Sequence, residues 1–118
     1  MKIYIAGPMR GVAQFNFPAF DAAAVKLRQI GHEVFNPADR DRGEHGETFG
    51  ADNHDGDEAR ATADHGFNLR EALLDDLTWI ARHADAVAVL PGWENSKGAN
   101  AEVALARALG LSVLDAPQ

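Results

Sequence analysis

Apolar positions along this chain fall into two rhythms. Short runs at residues 2–6, 32–36, 85–90 and 111–114 are rich in Ile, Val, Leu, Tyr and Phe, and glycine, proline or a polar turn closes them, so each reads as a strand. Between them apolar residues recur at helical spacing. Phe20, Ala24, Leu27 and Ile30 share one face after Asn16 and Pro18, which predicts a helix capped by Asn16 and stopped by Gly31. Asn68-Leu69-Arg70-Glu71 is a capping pattern opening a helix to residue 83 or 84, with Leu69, Ala72, Leu73, Leu77, Ile80 and Ala84 on one stripe. An alanine-rich helix is predicted from about residue 99 to 109, ending at Gly110.

From residue 38 to 67 both rhythms dissolve into a polar, glycine-rich stretch, which reads as a long loop, either a solvated insertion or a functional lid. Its His45, His54 and His65 follow no metal-ligand spacing, so no metal is assigned.

The order is strand–helix–strand, insertion, then helix–strand–helix–strand. Alternating strands and helices call for a doubly wound α/β fold of flavodoxin-like or Rossmann-like type, with a parallel sheet in the order 2-1-3-4. The 118 residues suit one domain over 1–118. In that topology strands 1 and 3 are neighbours whose following helices lie on opposite faces, and ligands bind at such a switch point. Loops 7–11 and 91–98 meet there, bringing Arg10, Ser96, Gly98 and Glu102 together.

A formal net charge of −7 argues against a nucleic-acid polymer or an anionic membrane as partner. Cysteine is absent, which removes disulfides and a thiol nucleophile. No signal-peptide pattern or membrane-length apolar run is seen, and the expected location is cytoplasmic.

At the switch point Gly7, Gly11 and Gly98 allow close backbone approach, Ser96 adds a hydroxyl and Arg10 a cationic fork, a set that suits phosphate. Neither G-x-G-x-x-G nor a Walker pattern occurs, so no dinucleotide or other cofactor is expected. Two acids adjoin these groups. Glu102 is placed in the first turn of its helix, where the dipole keeps a carboxylate ionised; it either complements that dipole or does chemistry. Asp76 lies within the apolar stripe of its helix and Asp75 points away from it. A core-facing acid either pairs with an arginine or neighbouring loop, or has a role in a site. Two such carboxylates suit chemistry at an anomeric carbon. Tyr4 either packs in the core or hydrogen-bonds one of them, and Trp79 and Trp93 are candidates for stacking on a base, Trp79 more as packing.

These residues resemble the nucleoside 2-deoxyribosyltransferase-like family, which includes 2'-deoxynucleoside 5'-phosphate N-hydrolases. Tyr4-Ile5-Ala6-Gly7-Pro8-Met9-Arg10-Gly11 is similar to its first strand and loop, Asp76-Leu77-Thr78-Trp79 to its acidic helix motif, and Ser96-x-Gly98-x-x-x-Glu102 to its nucleophile turn. The resemblance implies that Glu102 attacks C1' of a 2-deoxyribosyl group, Asp76 assists departure of the base, and Tyr4 orients the nucleophile. It also implies that Gly7, Met9, Arg10, Gly11, Ser96 and Gly98 hold the sugar phosphate, and that the protein is a homodimer or higher homo-oligomer. Family transferases acting on free nucleosides tend to carry an acid where this chain has Ser96. A serine can donate to a phosphate that an acid would repel, which favours a 5'-monophosphate substrate with water as acceptor. The alternatives are a base-exchanging 2-deoxyribosyltransferase and, from another class, a nucleotide-binding or sensing module without chemistry. A cytokinin-activating type of phosphoribohydrolase ranks last, because its glycine pair and threonine before the acid are missing.

Overall fold

Strand β1 (Lys2–Ala6) runs through the middle of a four-stranded parallel sheet, between β2 (Glu33–Phe35) and β3 (Ala86–Val89). Strand β4 (Ser112–Asp115) pairs with β3 and completes the order β2-β1-β3-β4, as the alternation of strands and helices predicts. The computed structural model describes residues 1–51 and 53–117; Asp52, within the predicted loop, and Gln118 lie outside them. Burial explains the composition. Strand β3 is buried throughout and β1 from Ile3 onward, hence their nearly unbroken apolar runs, whereas the edge strands are half-exposed.

The period of the strands divides the core into two layers. Ile3, Ile5, Ala86 and Ala88 face α1 (Phe17–Gln29), meeting Phe20, Ala24 and Leu27. Tyr4, Ala6, Val87 and Val89 face the other way, onto Ile80 of α4 (Leu69–His83) and Val103 and Ala106 of α5 (Lys97–Ala108). The helices following β1 and β3 therefore cover opposite faces, which opens a crevice beyond the carboxyl ends of those two strands. Among the described residues, no helix is long and apolar enough to cross a membrane.

Two local expectations are corrected. Asn16 makes no side-chain cap on α1; with Gln14 and Phe15 it forms a left-handed turn, φ 63°, 55° and 52° respectively. Such backbone costs non-glycine residues on the order of 1–2 kcal/mol each. It persists because Gln14 N–H donates to the Asn53 carbonyl at 2.8 Å and Phe15 is buried among Phe17, Phe49 and Phe67.

Residues 38–67 are the larger correction, for they are not a loop. They carry most of α2 (Pro37–His45) and all of α3 (Glu58–His65). Asn36 caps α2 by accepting from Ala38 N–H, with Pro37 in the first turn, and Asp57 caps α3 by accepting from Ala59 and Arg60. Gly66 ends α3 in the left-handed conformation. Phe49, 2% exposed, ties the segment to the core, and Asn53 is buried with it. Gly11 N–H donates to the Gly56 carbonyl at 2.9 Å, so the segment also grips the loop after β1.

At Gly56 (φ +65°) a Cβ would lie 2.3 Å from the Val12 carbonyl oxygen, whereas at Gly66 (φ +72°) it would meet nothing within 4 Å. Gly66→Ala should therefore cost only the backbone term of about 1 kcal/mol, and Gly56→Ala about 2–4 kcal/mol, in urea denaturation. Equal losses would show that the segment is not packed against Val12.

Candidate functional site

The crevice at the switch point is a cavity of about 580 Å³. Strand β1 and its loop supply Tyr4, Gly7, Met9 and Arg10; the turn into α5 supplies Ser96, Lys97, Gly98 and Glu102; α4 supplies Asp76. The fourth wall is the segment expected to be a loop, through Arg40, Asp41, Phe49 and Phe67. The lining thus combines apolar and aromatic side chains with the carboxylates and the amino end of α5.

Glu102 is 5% exposed and sits in the second turn of α5, since that helix begins at Lys97 rather than near residue 99. The expectation of a first-turn acid kept ionised by the dipole is therefore overturned. Burial, and then the negative charge of Asp76, push the Glu102 carboxyl well above its ordinary range. Tyr4 hydroxyl donates to Glu102 Oε2 at 2.5 Å and opposes that rise. Both readings of Tyr4 hold, because its ring also stacks on Phe35 at 5.4 Å and belongs to the core. Burial and the nearby carboxylates raise the proton affinity of its phenol as well, so Tyr4 stays a donor.

Asp76 is buried, 7% exposed, while the Asp75 side chain remains 45% exposed, which is the division that the stripe on α4 predicts. Its partner is Arg40 of α2, whose Nη1 lies 2.8 Å from Asp76 Oδ1. That contact is an ion pair rather than a well-aligned hydrogen bond, and among the described residues Oδ1 accepts none. Nη1 instead donates to the Ala72 carbonyl at 3.2 Å, and Nε donates to Asp41 Oδ1 at 2.8 Å. Burial raises the Asp76 carboxyl, with Arg40 pulling it back. Asp41, 3% exposed, is pushed up to about 6 by burial against the same opposing pull. Burial works against the charge on Arg40, but Asp76 and Asp41 outweigh it and hold the guanidinium protonated.

The other candidates divide. Ser96 is the N-cap of α5: its Oγ accepts from Ala99 N–H at 3.2 Å, which leaves its own proton to donate. The N–H groups of Lys97 and Gly98 begin the helix and have no carbonyl four residues back within it, so they are donors for an anion at the cavity wall. A Cβ at Gly98 would meet nothing within 4 Å. Gly7 lines the cavity, yet its missing Cβ serves packing, for one there would sit 2.8 Å from Leu90 Cβ. Met9 lines the cavity and packs on the α1-side core. Arg10 lines it too, with Nη1 held by Glu58 Oε1 at 2.9 Å. Gly11 is not part of the lining and takes φ +79° where the loop bonds to Gly56. Trp79 and Trp93 pack against the α4–α5 core, outside the cavity.

Arg40, Asp41 and Lys97 are the charged lining residues that the sequence does not single out. The signal available for the first two was Asn36-Pro37, a cap followed by a first-turn proline, which starts a helix and places Arg40 and Asp41 on it. His45 and His65 pack against the Phe49 ring at 5.2 and 5.4 Å, and among the described residues no group of acids and histidines is placed to hold a metal.

Residues 1–115 match the model of a family described as a domain of unknown function, DUF4406. No curated protein and no solved structure matches the chain.

The raised carboxyls have a consequence for stability. Glu102 binds its proton more tightly folded than unfolded, so its contribution is full below its ordinary value of 4.5 and is lost as pH rises through the folded value. Asp41 acts with the same sign between its ordinary 3.8 and about 6. The melting temperature should fall as pH rises from about 4 through the Asp41 value of about 6 and onward while Glu102 ionises, and Glu102→Gln, which cannot ionise, should flatten that fall. A variant as steep as the wild type would mean that Glu102 ionises without penalty.

Proposed function

We propose that this chain, which belongs to the DUF4406 family, cleaves the N-glycosidic bond of a 2'-deoxynucleoside 5'-monophosphate through a covalent deoxyribosyl-enzyme, with water as acceptor. The observation that carries the reading is the pair of buried carboxylates, Glu102 and Asp76, on the wall of one cavity with a tyrosine hydroxyl on Glu102. A site that only bound phosphate would gain nothing from two acids that repel it. A nucleophilic acid and a proton-donating acid are what anomeric substitution requires.

In the first step Glu102 carboxylate attacks C1' and the C1'–N bond breaks, its electron pair passing to the base nitrogen. Asp76 supplies the proton that leaves with the base. In the second step water attacks C1', its proton passes to Asp76, and the ester bond returns its electrons to Glu102. Tyr4 donates to Glu102 and fixes its direction of approach. Ser96 hydroxyl and the leading N–H groups of α5 receive the 5'-phosphate, helped by the Lys97 charge. The aromatic part of the lining, with Phe67 half-buried in it, receives the base. The net charge of −7 is compatible with an anionic substrate because the helix start supplies local positive potential.

Incubation with each deoxynucleoside 5'-monophosphate and its ribo counterpart, followed by chromatography of free base, is the direct test. We expect release from a deoxynucleotide, a loss in kcat of about 10³-fold or more in Glu102→Ala, and an intact-protein mass raised by one deoxyribosyl phosphate. Undiminished release by Glu102→Ala, or no release from nucleotides that bind, would defeat the catalytic reading. Transfer to an added second base would identify base exchange in place of hydrolysis.

A further inference from the structure

The carboxylate pair shares one charge, and its surroundings decide which member carries it. Two adjacent buried acids do not both ionise, and the attack needs the charge on Glu102 and the proton on Asp76. The surroundings favour the reverse. Asp76 is met by a full positive charge, Arg40 Nη1 at 2.8 Å, whereas the hydrogen-bond donor to Glu102 is the neutral Tyr4 hydroxyl. A full opposite charge in contact favours the ionised form of a carboxyl by direct Coulomb attraction, which a neutral hydroxyl does not supply.

We infer that Arg40 is a positioning residue that keeps the negative charge of the empty site on Asp76 and the shared proton on Glu102. The proton crosses to Asp76 only when the substrate base lies against it, and the nucleophile is thereby exposed only in the loaded site. The crossing rests on the glycosidic reading; the resting arrangement does not. Proton count is conserved: the pair holds one proton before binding, passes it to the base in the first step, and regains it from water in the second.

The geometry around Arg40 makes it suited to this and not merely to packing. Its side chain is 12% exposed and spans three groups at once: Asp41 at 2.8 Å on its own helix, Asp76 at 2.8 Å on α4, and the Ala72 carbonyl at 3.2 Å. Asp75 lies 3.6 Å away at the open edge. The charged and titratable groups facing the pair are therefore Arg40 and Asp41 from α2, with His45 acting on Asp41, Asp75 from α4 and Tyr4 from β1. Among these Arg40 alone combines a fixed positive charge with direct contact to Asp76.

Carboxyl-carbon NMR of the free, full-length protein reads the order in which Asp76 and Glu102 ionise, and it needs no substrate. In the wild type Asp76 should ionise at the lower pH. In Arg40→Met the Asp76 midpoint should rise by about 1–3 pH units, so that the order merges or inverts, and Arg40→Lys should restore it. Glu102 ionising first in the wild type, or an Asp76 midpoint unmoved in a folded Arg40→Met, would overturn the inference. A wild type that titrates as expected yet cleaves no nucleotide would sink the glycosidic reading and leave the role of Arg40 standing. If cleavage is found, both limbs of the kcat/KM pH profile should move to higher pH in Arg40→Met, a change that loss of packing alone would not produce.

Discussion

Three buried carboxylates are set against one guanidinium at the centre of this molecule. Asp41, Asp76 and Glu102 come from three different helices, and burial raises the proton affinity of each. Arg40 touches two of them directly and stands close enough to influence the third. Removing one partner of a buried charged cluster is usually far more damaging than never having built it. Charges held at this expense in a cavity wall are a common mark of functional sites, and here they fix α2 against α4.

The sheet supplies the geometry that this cluster needs. Because β1 and β3 are central neighbours, the chain leaves them over opposite faces, and their ends frame one opening. Tyr4 shows how closely packing and chemistry are joined. Its ring belongs to the apolar layer beneath α4 and α5, and its hydroxyl reaches beyond that layer to the carboxylate. A residue anchored by a core has little freedom to misdirect its polar end, which is the kind of rigidity that catalytic groups require. The segment around α2 and α3 contributes the rest of the lining, with Phe49 and Phe67 beside Arg40 and Asp41.

Strands, their order and the pairing of the two loops were legible because central parallel strands are apolar on both faces and glycine or proline marks their ends. The stripe on α4 was legible too, and with it the difference between Asp75 and Asp76. Helices α2 and α3 were hidden by their shortness and polarity: α3 buries only Ala61, and α2 buries Pro37, Ala38 and Asp41, so neither shows an apolar face. Arg40 is hidden for the same reason, being one arginine in a run of charges with no helical period to mark it. Glu102 lies deeper in its helix than the alanine-rich pattern implies, because α5 starts at Lys97 and so places it in a buried second turn instead of at the dipole's mouth. Gly7 and Gly11 were visible as glycines, but a missing side chain does not say which neighbour needs the space. For Gly7 that neighbour is Leu90, and Gly11 serves the contact with Gly56.

The clasp between the loop after β1 and the segment before α3 ties distant parts of the chain together. Gly11 bonds to Gly56, Gln14 to Asn53 and Arg10 to Glu58, so two stretches about forty residues apart meet as one surface. Neither stretch is a module that can be exchanged alone. A chimaera that replaces the helical segment must carry the left-handed turn with it, because Gln14 of that turn and Gly11 just before it bond to the segment's own carbonyls. The clasp therefore makes the two stretches a single unit of architecture, in which neither half keeps its shape without the other.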